Sequence, residues 1–146
     1  MTTLFTEQIR CALCGDESEC TGIGSTNAFG SPDLDTRPPE MQRSTMAYWV
    51  QRCPTCGYCA RELSEKSPGA DAIVEKTEYR DQLNNPDYPD LANSFLCQAL
   101  IDHAAGNLAH ATWALIHAAW ACDDAAAVSQ ASACREQAAD MLMAAE

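Results

Sequence analysis

Positive charge is scarce in this chain: nine Lys and Arg face 21 Asp and Glu, a formal charge of −12 at pH 7. The deficit is uneven. Up to Lys66 nine acids oppose six bases, net −3, while the remainder sets twelve acids against three bases, net −9. A field of that sign repels phosphates, so nucleic acid is not expected as a partner of the whole protein. Long apolar runs are missing too. "ATWALIHAAWAC" at 111 to 122 is too short to span a bilayer, and "MTTLFTEQIRCALCG" has no basic segment leading into an apolar one. The expectation is a cytoplasmic protein with no membrane segment. Length excludes a large multidomain enzyme, since 146 residues hold one domain, or a metal-stapled module joined to a small helical one.

Cysteine is abundant instead. Nine thiols, an odd number, in a reducing compartment argue against a disulfide framework and for metal binding plus some buried apolar thiols. "CALCG" at 11 to 15 and "CPTCG" at 53 to 57 are two CxxCG knuckles, in which two intervening residues turn both sulfurs to one side. Zn–S bonds of about 2.3 Å in a tetrahedron place sulfurs roughly 3.8 Å apart, which such turns can supply. Gly15 and Gly57 follow each pair where a positive φ lets backbone N–H groups face the thiolates. Cys11, Cys14, Cys53 and Cys56 are therefore the expected ligands of one Zn2+. Four thiolates fill the coordination sphere and leave no open position for activating water, so the expected zinc is structural.

Composition changes near residue 66, which divides the chain into a zinc ribbon at 1–66 and an α-helical part at 67–146. Before the boundary, glycines and prolines in "GSTNAFGSPDLDTRPPEMQRS" forbid a long helix. "TMAYWVQRC" at 45 to 53 alternates and reads as a strand, with a shorter strand around "CTGIGS" as its partner. After the boundary four helices are expected. The first starts at Ser67 and Pro68, carries Ile73, Lys76, Tyr79, Arg80 and Leu83 near one face, and stops at "NNPDYP". The second runs from about Pro89 to Ala105 and ends at Gly106 and Asn107. "LAHATWALIHAAWAC", apolar nearly all round, marks the third as the most buried. Asp123 or Asp124 caps the fourth, whose Val128, Ala131, Cys134, Ala138, Met141 and Ala145 recur at three- and four-residue steps. Phe95, Ala99, Ala111, Leu115 and Ala118 are spaced as in a tetratricopeptide (TPR) hairpin, and 34 residues on from Ala99 stands Ala133. The fold class is thus α+β, a β-hairpin ribbon with two zinc knuckles followed by an antiparallel TPR-like helical bundle.

Other polar clusters have two readings each. Cys20 and Cys59, a few residues beyond the knuckles, are either packing thiols or a redox pair beside the metal. Cys97, Cys122 and Cys134 fall on apolar helix faces and read as core. His103, His110 and His117 stand seven apart, but one helix would space them roughly 10.5 Å along its axis, too far to share a metal. Asp33, Asp35, Arg37 and Glu40 in "SPDLDTRPPE" form either a small binding or acid/base site, or turns that Arg37 ties down.

"CALCG", "STNAFGSPDLDTRPPEMQRSTMAYWVQRCPTCGY" and "AAWACDD" together resemble a bacterial family, catalogued as a domain of unknown function, that joins a double-CxxC zinc ribbon to a TPR-like helical tail. The resemblance spans nearly the whole chain and implies the same four cysteine ligands. It implies no activity. The favoured expectation is a non-catalytic adaptor whose acidic helical half meets a protein partner or a second copy, forming a homo-oligomer. An acidic face suits basic peptides. The alternative is a nucleic-acid-associated ribbon using Arg37, Arg43, Arg52 and Arg61 with Phe29, Tyr48 and Trp49. An enzyme ranks third, because neither a nucleophile–base pair nor an open metal site is legible.

Overall fold

Each CxxCG sequence turns the chain sharply, and in the computed structural model, which describes residues 2–144, each forms the tip of its own hairpin. Strands β1 (Thr3–Arg10) and β2 (Glu17–Ser25) pair antiparallel across the first knuckle. Strands β3 (Gln51–Arg52) and β4 (Cys59–Ala60) pair across the second. The strand expected around "CTGIGS" therefore pairs with residues upstream of its own knuckle, not with 45–53. A turn that already returns the chain closes the shortest loop, and the local partner wins.

The strand expected over 45–53 is also corrected. Only Gln51 and Arg52 are extended, after a 3-10 turn at Met46–Tyr48. Thr45 is the cause. Its hydroxyl donates to the Gln42 carbonyl at 2.6 Å and accepts from Trp49 Nε1 at 2.9 Å, while its carbonyl accepts from Tyr48 N at 2.9 Å. Such local bonds offer the backbone an alternative to a ladder. A short helix, α1 (Glu40–Arg43), precedes it.

The first expected helix is two, α2 (Ala70–Val74) and α3 (Thr77–Leu83), broken at Lys76, whose backbone is extended at φ −70 and ψ 146. Then come α4 (Asp90–Ala104), α5 (Leu108–Asp124) and α6 (Val128–Ala144), joined by three-residue turns that make neighbours antiparallel. At the first turn Gly106 takes φ 80, with Asn107 N bonded to Asp102 O at 2.9 Å and Gly106 N to His103 O at 3.0 Å. This is a Schellman stop. Asn107 then caps α5 by accepting from His110 N. The second turn repeats the pattern with Ala126 at φ 59, Ala127 N reaching Cys122 O at 2.8 Å.

Asp123 and Asp124 do not cap α6, because they form the last turn of α5. Acids there oppose the helix dipole. Ion pairs offset this, Arg135 to Asp123 at 2.7 Å and Arg37 to Asp124 at 2.7 Å. The most enclosed helix is α4 and not α5, since every residue from Ala92 to Ala99 is buried. On α6 the expected apolar stripe divides. Ala131, Cys134 and Ala138 close the chain's own core and Met141 packs against it, while Val128 is 74% exposed and Ala145 lies outside the described residues. Phe95, Ala99, Ala111, Leu115 and Ala118 all face inward, but Ala133 is only partly buried. The buried cluster runs from Cys11, Met46 and Cys53 through to Ala138. Among the described residues no helix is long and apolar enough to cross a membrane.

Candidate metal centre

The two hairpin tips meet. One sulfur from each of Cys11, Cys14, Cys53 and Cys56 lies within 4.8 Å of all the others. Cys11 Sγ stands 3.6 Å from Cys56 Sγ, and Cys14 Sγ stands 3.6 Å from Cys53 Sγ, so each close contact crosses from one knuckle to the other. Tetrahedral thiolate coordination requires roughly 3.8 Å. All four donors are soft sulfurs, and their spacing is compatible with a bound metal ion.

The knuckles are built alike. Gly15 N donates to Cys11 O at 2.9 Å and Gly57 N to Cys53 O at 3.0 Å, with φ of 80 and 82. Those left-handed glycines aim the following amides inward. Burial works to raise the Cys53 thiol, yet the N–H groups of Cys56 and Thr55 donate to its sulfur and bring it down to about 7. Cys56 is held well above the ordinary thiol range, first by burial and then by the sulfurs around it. Crowded thiols cannot all ionise alone, and a bound cation removes that conflict.

A second layer, which the sequence reading missed, fixes the second knuckle to the helices. Tyr79, fully buried on α3, donates its hydroxyl to Gly57 O at 2.6 Å and accepts from Cys59 N at 3.1 Å. One residue on, Arg80 Nη2 donates to Cys56 O at 2.7 Å. A Cβ on Gly57 would meet Leu83 Cδ2 at 2.7 Å and Arg80 Nη1 at 2.9 Å, so the knuckle backbone rests directly on α3. Arg52 ties β3 to α4 through Ser94 Oγ and Asp90 O, both at 2.9 Å. The first knuckle is joined to the stretch after β4 by Ala12 N to Leu63 O at 2.8 Å. The available signal was a Tyr–Arg pair on the helix face that also carries Ile73 and Leu83. Polar tips on such a face need buried partners.

Cys20 and Cys59 do not form a pair. Cys59 is fully buried and its neighbouring thiol is Cys97, while Cys20 is partly buried with Cys53 among the groups acting on it. Cys97, Cys122 and Cys134 are core residues at 0% exposure, and Cys122 lies beside Cys134. The histidines separate. His103 and His110 are exposed, whereas His117 sits among Trp49, Phe95, Trp113 and Trp120 with ring centroids 4.9 to 6.1 Å away. Burial, aided by Arg61, lowers its pKa to about 4.

The 33–40 loop is tied down. Arg37, 5% exposed, bonds Asp124 and lies 5.9 Å over the Trp120 ring. Asp35 accepts from Trp120 Nε1 at 2.7 Å and from Arg135 Nη2 at 3.0 Å. Asp33 pairs with Arg43 at 2.9 Å, and Glu40 with Ser44. Asp35 and Arg37 hold the loop against α5 and α6, while Asp33 and Glu40 bond locally to Arg43 and Ser44.

No protein-family model, curated protein or solved structure matches the chain.

Proposed function

We propose that this chain is a non-catalytic adaptor: one structural Zn2+ held by Cys11, Cys14, Cys53 and Cys56 fastens two hairpins to an acidic helical platform that meets a protein partner or a second copy. The observation that carries this reading is the all-sulfur set, with sulfurs within 4.8 Å of one another, standing on α3 through Tyr79 and Arg80. Zinc is the favoured ion because it suits four thiolates and has no redox chemistry to manage in a reducing compartment. It would supply folding free energy there, not Lewis acidity. Arg80 sets positive charge beside a site whose four thiolates and zinc would sum to about −2. The inward positions of the α4–α5 hairpin support a TPR-like arrangement, and with it the likeness to the zinc-ribbon family.

A net charge of −12 favours basic partners. Exposed Val128, Leu142 and Met143 on α6 offer a contact for a second copy, replacing the stripe that the core absorbs. The nucleic-acid alternative has less support. Arg37, Arg43 and Arg52 already bond Asp124, Asp33, and Ser94 with Asp90. To test the reading, the zinc-loaded protein is titrated with an arginine-rich peptide and with an oligonucleotide of matched length at near-physiological salt. Tighter binding of the peptide, lost on chelation, is expected. Tighter binding of the oligonucleotide would overturn it.

A further inference from the structure

A cleft of about 1020 Å³ opens between the β1–β2 hairpin, the 36–51 stretch and α5. It lies apart from the four cysteines and shares only its edge, Thr36, Pro38 and Trp120, with the 33–40 loop. Tyr48, Trp49, Trp113 and Trp120 line it. Trp49 spends its indole N–H on Thr45 at 2.9 Å and Trp120 spends its own on Asp35 at 2.7 Å. Trp49, half-buried, therefore offers a ring face and no donor, whereas Trp120 is 2% exposed and its ring already carries the Arg37 guanidinium. Trp113 is 48% exposed, a large aromatic at the cleft's edge.

Gln98 of α4 also lines the cleft, is 7% exposed, and has its Oε1 buried with no partner among the described residues. An unmet buried acceptor is costly and asks for a donor. Glu7 and Glu62 line the cleft and neither belongs to an ion pair among the described residues. Against these stand Arg61 and His110, with His117 kept neutral by its burial. Exposed ring faces, the unmet Gln98 oxygen and unpaired carboxylates select a planar cation with several N–H donors.

We propose that the cleft is the docking point for a basic segment of the partner protein, one of whose arginine side chains stacks on Trp113 and Trp49 and donates to Gln98 Oε1. This rests on the adaptor reading and names the partner's chemistry. Guanidinium is flat, stacks on aromatic faces and carries five donors, which a lysine ammonium does not match. The net charge of −12 draws such a segment toward the chain. Arg61, exposed at the cleft, sets the orientation, since like charge keeps the guanidinium away from it.

The test uses the zinc-loaded full chain, tryptophan fluorescence and calorimetry, with a short blocked arginine-rich peptide and its citrulline counterpart as probes. The arginine peptide is expected to bind and shift the emission, and the neutral citrulline peptide is not. Trp113→Ala and Gln98→Leu should each weaken binding by at least about threefold. Gln98→Leu should leave the unfolding midpoint unchanged or higher, because it replaces an unmet polar group with an apolar one. Arg61→Glu should tighten binding. Equal binding of the citrulline peptide, or of the arginine peptide to the Trp113 and Gln98 variants, would remove the cleft proposal and leave the adaptor standing. Binding of adenosine monophosphate that Arg61→Glu abolishes would make the cleft an anion site and overturn the proposal. Failure of any arginine peptide to bind would remove the basic-partner reading as well.

Discussion

Tyr79→Phe isolates the contact between the metal site and the helices. The ring is fully buried and the substitution keeps it, so packing is preserved and only the hydroxyl is lost. That hydroxyl makes two bonds, to Gly57 O at 2.6 Å and from Cys59 N at 3.1 Å. Both backbone groups belong to buried residues, and each unmet group costs about 1–3 kcal/mol. Cys59 Sγ, 3.4 Å from Gly57 O, can recover part of the first. The expected loss is therefore about 2–4 kcal/mol. Spread over a chain of this size, that lowers the unfolding midpoint by roughly 5–15 °C. The assay is urea unfolding of the zinc-loaded protein followed by circular dichroism, with release of zinc to a colorimetric chelator measured in parallel. Release should speed up in the variant, because the knuckle that holds Cys53 and Cys56 has lost its footing on α3. A variant within about 0.5 kcal/mol of the parent that also keeps the parent's release rate would refute the reasoning.

Three further outcomes follow from the geometry. Gly57→Ala forces a side chain to φ 82 and against Leu83 and Arg80, at a cost of about 2–4 kcal/mol, whereas Gly15→Ala at φ 80 has nothing within 4 Å and should cost only about 1 kcal/mol; thermal unfolding of the two variants reads the difference. His117 has a folded pKa lowered by burial from 6.5 to about 4, so its stabilisation is complete above pH 6.5 and lost as pH falls toward 4, up to about 3 kcal/mol. Burial raises Asp102 to about 6, which acts in the opposite sense below that pH, so the measurement is parent minus His117→Phe, in which the Asp102 contribution cancels. Asp35→Ala leaves Trp120 Nε1 without its acceptor and removes one partner of Arg135, and should destabilise by about 1–3 kcal/mol and speed proteolysis within the 33–38 loop.

What could be read in advance divides by sequence distance. That Cys11, Cys14, Cys53 and Cys56 come together was legible because each CxxCG is a local geometry, complete within five residues. Helix ends at Gly106 and Asn107 were legible for the same reason. The strand at 45–53 was misread because alternation in "AYWV" is a weaker instruction than three hydrogen bonds made by Thr45 within its own neighbourhood. Asp123 and Asp124 looked like caps because acids favour helix starts. Their partners Arg135 and Arg37, the latter 87 positions away, hold them at a helix end instead. Tyr79 and Arg80 were placed on the correct face, but nothing local states that the face meets a knuckle backbone 22 residues upstream. Cys59 was set apart from the core thiols for its position after a knuckle, yet the fold buries it against Cys97.

Metal content tests the central claim most directly. Protein prepared without chelator and measured by elemental analysis should carry one zinc per chain, and Cys53→Ser should lose it together with the ordered hairpins, since binding free energy at such a site is also folding free energy. Zinc-free parent protein that is nonetheless folded, or a Cys53→Ser variant that keeps one zinc per chain, would contradict the account.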